Sequence, residues 1–177
     1  ELVKKTLRKA KVYYYCAYHL RTRPISEEIK QIINKNRIGK IYYIKITHRQ
    51  FRSIPKSKFL SVKKYSGGGP LMDLGSHYFD LVGWFLKFPK IKNVSNYCFN
   101  EITRKTKEKK YLPFKKYNNE ELSVGNIQLG NNCVVSYEIG YVLNTKDEIK
   151  SIEFFGAKGS LIWPQGYIEI LKKNKIK

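Results

Sequence analysis

Five segments with strand character follow one another between residues 90 and 163, and no helical pattern separates them. They are Lys90–Phe99, Glu121–Leu129, Cys133–Ile139, Ile149–Gly156 and Ser160–Trp163, rich in β-branched and aromatic residues. Parallel neighbours need long crossovers, so strands in succession pair largely antiparallel. Gly130-Asn131-Asn132 suits a hairpin turn, because its residues tolerate positive φ. Ile152 and Phe154 fall on one face of their strand, Glu153 and Phe155 on the other. Both faces are therefore partly apolar. One is expected to be covered by helices, the other by a partner.

Upstream, the order is helix–strand–helix–strand–helix. Residues 1–10 read as the end of an amphipathic helix with Leu2, Val3 and Leu7 on one side, and Val12–Ala17 reads as a strand. Pro24 and Ser26 open a second helix, with Glu27 and Glu28 in its first turn and Ile29, Ile32 and Ile33 as its stripe; Gly39 closes the segment. Ile41–Thr47 is a strand and Phe51–Tyr65 a loop. Gly67-Gly68-Gly69-Pro70 breaks the chain before a helix over Leu71–Leu86, in which Leu71, Leu74, Tyr78, Leu81 and Phe85 keep helical spacing. Thr103–Tyr117 is a Lys-rich connector. The fold class is α+β: a large, mostly antiparallel sheet with helices on one face, preceded by a helix–strand pair that opens partway through an α/β unit.

The chain has 177 residues and a formal net charge of +21. Its length suits a domain with a real core, and 42% hydrophobic residues argue against disorder. The charge comes from 28 Lys, with only seven Arg, beside 19 Ile, 14 Tyr and 12 Asn and just three Ala. Residues with A/T-rich codons thus dominate, and base composition accounts for the lysines without a nucleic-acid partner. Lys63-Lys64-Tyr65 and Lys115-Lys116-Tyr117 interleave charge and rings, a pattern that also suits single-stranded nucleic acid. Readers of nucleic acid favour Arg, however, so no such partner is expected. No apolar stretch reaches membrane-spanning length, and ELVKKTLRKAK lacks the apolar centre of a secretory signal. Cys16, Cys98 and Cys133 are odd in number and far apart. They read as buried free thiols in a reducing, cytoplasmic setting, with no metal site.

Chemistry concentrates in Gly67–Asp80, GGGPLMDLGSHYFD. On a helix from Pro70, Asp73 and His77 stand at i and i+4, one turn apart, and Asp80 lies on roughly the same side. The glycines clear space where backbone approaches a neighbour. A carboxylate beside an imidazole can fix its tautomer and raise its basicity, which suits proton transfer from a hydroxyl being oxidised. On spacing alone a plain hydrogen-bonded pair is the commoner meaning, with Asp80 bonding backbone, and Arg21 and Arg23 read as a solvated turn.

GGGPLMDLGSHYFDLVGWFL resembles the signature of the Gfo/Idh/MocA family of NAD(P)-dependent sugar and polyol oxidoreductases. AYHLRTRP is similar to the segment leaving that family's last nucleotide-domain strand, NKNRIGKIYYIKI to its glycine-turn entry into the large sheet, and SIEFFGAKGSLIWP to its late hairpin. The resemblance implies hydride transfer between a sugar, nucleotide-sugar or polyol hydroxyl and NAD or NADP. It implies that His77 is the acid/base group, that Asp73 orients it and binds substrate hydroxyls, and that Arg21 stands near cofactor and substrate. Tyr18 and His19 line the same pocket on this reading. The family's Gly-rich dinucleotide turn and its Glu-Lys-Pro motif occur nowhere in the sequence. Residues 1–23 therefore read as a remnant of a nucleotide-binding domain, and 24–177 as the substrate and oligomerisation domain. A homo-oligomer through the open sheet face is expected. The alternative is a sheet module that serves as a scaffold and has lost the chemistry.

Overall fold

The structure, a computed structural model, describes residues 2–105, 117–172 and 175–176. Helices α1 (Leu2–Ala10) and α2 (Pro24–Asn34) precede strand β1 (Ile41–Arg49). Two single turns, α3 (Lys58–Ser61) and α4 (Lys63–Ser66), lead to α5 (Ser76–Phe85). Strands β2 (Ile91–Phe99), β3 (Leu122–Leu129), β4 (Val134–Gly140), β5 (Ile149–Gly156), β6 (Gly159–Trp163), β7 (Tyr167–Lys172) and β8 (Lys175–Ile176) follow. They form one sheet in the order β2-β3-β4-β1-β5-β6-β7-β8. The single parallel contact among these strands joins β1 to β4, with Tyr43 opposite Val134; all the others are antiparallel. The α+β class expected from the strand succession is the observed one.

Alternation along the strands builds the core. Ile44 and Ile46 of β1, Val135 and Ile139 of β4, Ile152 and Phe154 of β5, and Leu161 and Trp163 of β6 are buried on one face. Ile29 of α2 and Leu81 and Phe85 of α5 pack onto them. Each such buried side chain contributes roughly 1.5–3 kcal/mol of transfer free energy. On the opposite face Tyr43 stacks on Phe155 at 5.5 Å, and the Arg49 Nε donates to Glu138 Oε1 at 2.6 Å. That face is polar and apolar by turns. The turn after β3 forms as expected, with Asn132 at φ 63°.

Four expectations need correction. Val12–Ala17 is not a strand: no described strand lies beside it, and a ladder needs a neighbour to receive its hydrogen bonds. The loop over 51–65 contains parts of two short helical turns. The helix expected over Leu71–Leu86 opens as a π-helical turn, Leu71–Gly75, before α5. Among the thiols only Cys133 is buried; Cys16 and Cys98 are exposed, and all three are free. Strands β7 and β8 lie beyond the last segment that the pattern identified. The Lys-rich connector, including Lys115 and Lys116, falls over 106–116 outside the described residues.

Candidate functional site

The triple glycine makes the approach to the site possible. Gly67 caps α4 in the left-handed region at φ 78°, which only glycine adopts without strain. Gly69 passes so close to Glu120 that a Cβ would run into its carbonyl oxygen. In return the Glu120 carboxylate accepts the Gly69 amide at 2.8 Å. The backbone thus turns sharply into Leu71–Gly75, whose wider π turn carries Asp73 toward β4 and its end at Tyr141.

Asp73 accepts the hydroxyl of Tyr141, which is 2% exposed. Burial and this bond push the Tyr141 phenol far above its ordinary range, so it remains a donor. No hydrogen bond joins Asp73 to His77. The His77 Nδ1 is instead buried without a partner. The π turn alters the stagger that an α-helix would give the two residues, and the phenol takes the carboxylate. His77 is flanked by His19, with ring centroids 5.2 Å apart, and by Tyr18 at 6.1 Å, both edge-on.

Arg21 is not a solvated turn, and Asp80 does not bond backbone. The Arg21 Nε donates to Asp80 Oδ2 at 2.7 Å, and its Nη2 donates to the other carboxylate oxygen, a bidentate pair. The paired carboxylate raises the guanidinium pKa. The pair clamps the 3₁₀ turn His19–Thr22 to α5 and thereby holds His19 over His77.

These elements enclose a cleft of about 320 Å³ lined by His19, Arg23, His48, Leu74, His77, Tyr78, Lys150 and Trp163, among others. Of the residues expected at a site, His77 and His19 line this cleft and Tyr18 stands beside it. Arg21 and Asp73 are not among its lining residues, and each is engaged by a partner. His48, Tyr78 and Lys150 were not expected there. His48 has a sequence signal: two residues beyond Ile46, it falls on the core face of β1, where an imidazole is out of place among isoleucines. A second hollow, about 130 Å³, lies under α5 between Phe79, Val82, Phe88, Ile127, Leu129 and Val135. No titratable side chain lines it. Among the described residues no group of three or more His, Cys, Asp and Glu could hold a metal ion, and no helix is long and apolar enough to cross a membrane.

Residues 26–162 match the model of the GFO/IDH/MocA C-terminal domain. D-glucoside 3-dehydrogenase of Escherichia coli (strain K12) is 26% identical over 151 residues, 83% of this chain and 43% of that protein. A levoglucosan dehydrogenase solved with NADH and L-sorbose superposes with a TM-score of 0.73 at 16% identity, covering 94% of this chain and 46% of the other. The WlbA dehydrogenase of Bordetella pertussis, solved with NADH and UDP-GlcNAcA, gives a TM-score of 0.70 at 20% identity, covering 89% and 42%. The chain therefore spans less than half the length of each of these relatives.

Proposed function

Because the chain belongs to the GFO/IDH/MocA C-terminal domain family, we propose that it forms the substrate-binding part of an NAD(P)-dependent oxidoreductase acting on a hydroxyl of a sugar, nucleotide sugar or polyol. The names of the glucoside, levoglucosan and UDP-sugar relatives support this substrate class. The observation that carries the reading is His77, an imidazole with a buried, unpartnered Nδ1 in the wall of a cleft that also holds His19.

When a hydroxyl becomes a carbonyl, hydride leaves its carbon and a proton leaves its oxygen. Accepting or returning that hydride is the chemistry a bound nicotinamide would supply. His77 takes or gives the proton. Asp73, held by Tyr141 outside the cleft lining, acts on the reaction by fixing the turn that leads into His77. Only one end of a dinucleotide finds fitting partners here: Tyr18 and His19 present aromatic edges beside His77, whereas among the described residues no glycine-rich phosphate turn follows a strand. Arg21 acts on that region through Asp80, by fixing the turn that carries His19. On this reading residues 1–23, all of which lie ahead of the family match, pack with a nucleotide-binding domain that covers the exposed Tyr13, Tyr14 and Tyr15. The open sheet face joins two copies through rings such as Tyr43 and Phe155.

Joined to a nucleotide-binding domain of this family, the chain is expected to reduce NAD or NADP with a sugar. His77→Ala should lower kcat by about 10²–10⁴-fold, the usual weight of a general acid–base group. Undiminished turnover by that variant overturns the assignment. The scaffold reading draws on the Asp73–Tyr141 and Arg21–Asp80 pairs, which engage two candidate groups inside the fold. A stable dimer that stays inactive in the same assay supports it.

A further inference from the structure

His48 is 5% exposed, yet its ring forms part of the cleft wall. Its Nδ1 lies 2.7 Å from the Tyr78 hydroxyl, and its Nε2 is buried without a partner. A core histidine that serves packing alone has both nitrogens satisfied or one of them in water. In this one Nε2 makes no bond of normal geometry, although the Gln50 side chain comes near enough to the ring to favour its charged form. A buried orphan nitrogen at the edge of a polar cleft is the pattern of a group that completes its bonding with a ligand.

The Tyr78 bond fixes which nitrogen carries the proton. Burial pushes the Tyr78 phenol up to about 12, so at neutral pH it keeps its proton. His48 is its recorded partner; if Nδ1–H were the donor, the phenol proton would have no acceptor among the described residues. With Tyr78 as the donor to Nδ1, the proton of the neutral ring sits on Nε2. The ring is neutral because burial, followed by the positive charge of Lys150 on β5, holds it down at about 4. A side-chain contact from Gln50, and after it the charges of Glu148 and Asp73, act in the opposite direction.

We propose that the Nε2–H of His48 is a substrate-binding donor, locked in that tautomer by Tyr78, which receives an uncharged oxygen of the sugar, a hydroxyl or the carbonyl formed from one. This rests on reading the cleft as a sugar site. His48 is then a specificity residue distinct from His77: it leaves its proton in place and selects a substrate carrying an acceptor oxygen at that position. Tyr78 is a positioning residue that acts through the ring.

The test is long-range proton–nitrogen correlation of the histidine rings in the intact chain, with methyl β-D-glucopyranoside as probe. At neutral pH His48 should read as a neutral ring with Nε2 protonated. The glucoside should shift that nitrogen together with the ring of His77. Tyr78→Phe should redistribute the proton between the two nitrogens and weaken glucoside binding about tenfold, ~1.4 kcal/mol. His48→Gln, which keeps a donor near the Nε2 position, should bind within a fewfold of the native chain, while His48→Leu should lose about tenfold. Should His48→Leu fail to fold, the native spectrum and the Tyr78→Phe variant decide. A protonated Nδ1 overturns the proposal. A glucoside that shifts His77 but not His48 overturns it and leaves the sugar-site reading standing. A glucoside that shifts neither ring at its solubility limit overturns both.

Discussion

Two side chains of the site tie its chemistry to its stability. His48 is neutral when folded, with its pKa held near 4, and titrates near 6.5 when unfolded. Between those values the unfolded chain binds the extra proton, so stability rises with pH across this window and is lost as pH falls from about 6.5 toward 4. The expected loss is about 3 kcal/mol. Urea melts at a series of pH values should show it, and His48→Gln should flatten the curve over that range. Tyr141 offers the second case. Tyr141→Phe leaves the Asp73 carboxylate without its donor and should cost about 1.5–3 kcal/mol, the worth of a hydrogen bond to a charged group. If Asp73 also acts in the reaction, the same variant should lower kcat more than it raises KM. The histidine was singled out by the resemblance of GGGPLMDLGSHYFD to a family signature, whereas helix spacing alone suggested only a plain hydrogen-bonded pair with Asp73. The bond that Asp73 makes was not legible, since Tyr141 stands 68 positions away and meets it only through the fold.

Among the elements, α5 and the 3₁₀ turn His19–Thr22 behave as one piece. Arg21 joins them across 59 positions, and the Asp80 side chain is 8% exposed. Arg21→Met keeps most of the stem but strands that carboxylate, and should cost about 2 kcal/mol, less than a fully buried pair because the guanidinium is half-buried. Hydrogen exchange should speed up in residues 19–22 before it does in the sheet. The strand succession and the apolar face of α2 were readable because their periods of two and 3.6 are local properties. The π turn at Leu71–Gly75 was not. It arises where Glu120, 51 positions beyond Gly69 in the chain, takes the amides of Gly69 and Leu71 and reshapes the helix start. Val12–Ala17 failed for the opposite reason: its residues favour a strand, but the ladder that would express that preference needs a neighbour.

For the whole molecule the decisive fact is the place of β1. It lies between β4 and β5, so the centre of the sheet joins residues 41–49 to residues 134–156. Contacts of such long range close slowly, because the intervening chain must lose its freedom before the pairing rewards it. The order of synthesis sharpens this. At roughly 5–20 residues per second, β1 leaves the ribosome several seconds before either neighbour exists. During that interval the isoleucines of β1 and the apolar sides of α2 and α5 have no sheet to cover. A chain cut after Gly130 should therefore remain open to protease throughout, whereas one that includes β5 should protect residues 41–49. Residues 41–49 are therefore expected to offer chaperones an apolar surface until residues 134–156 have been made.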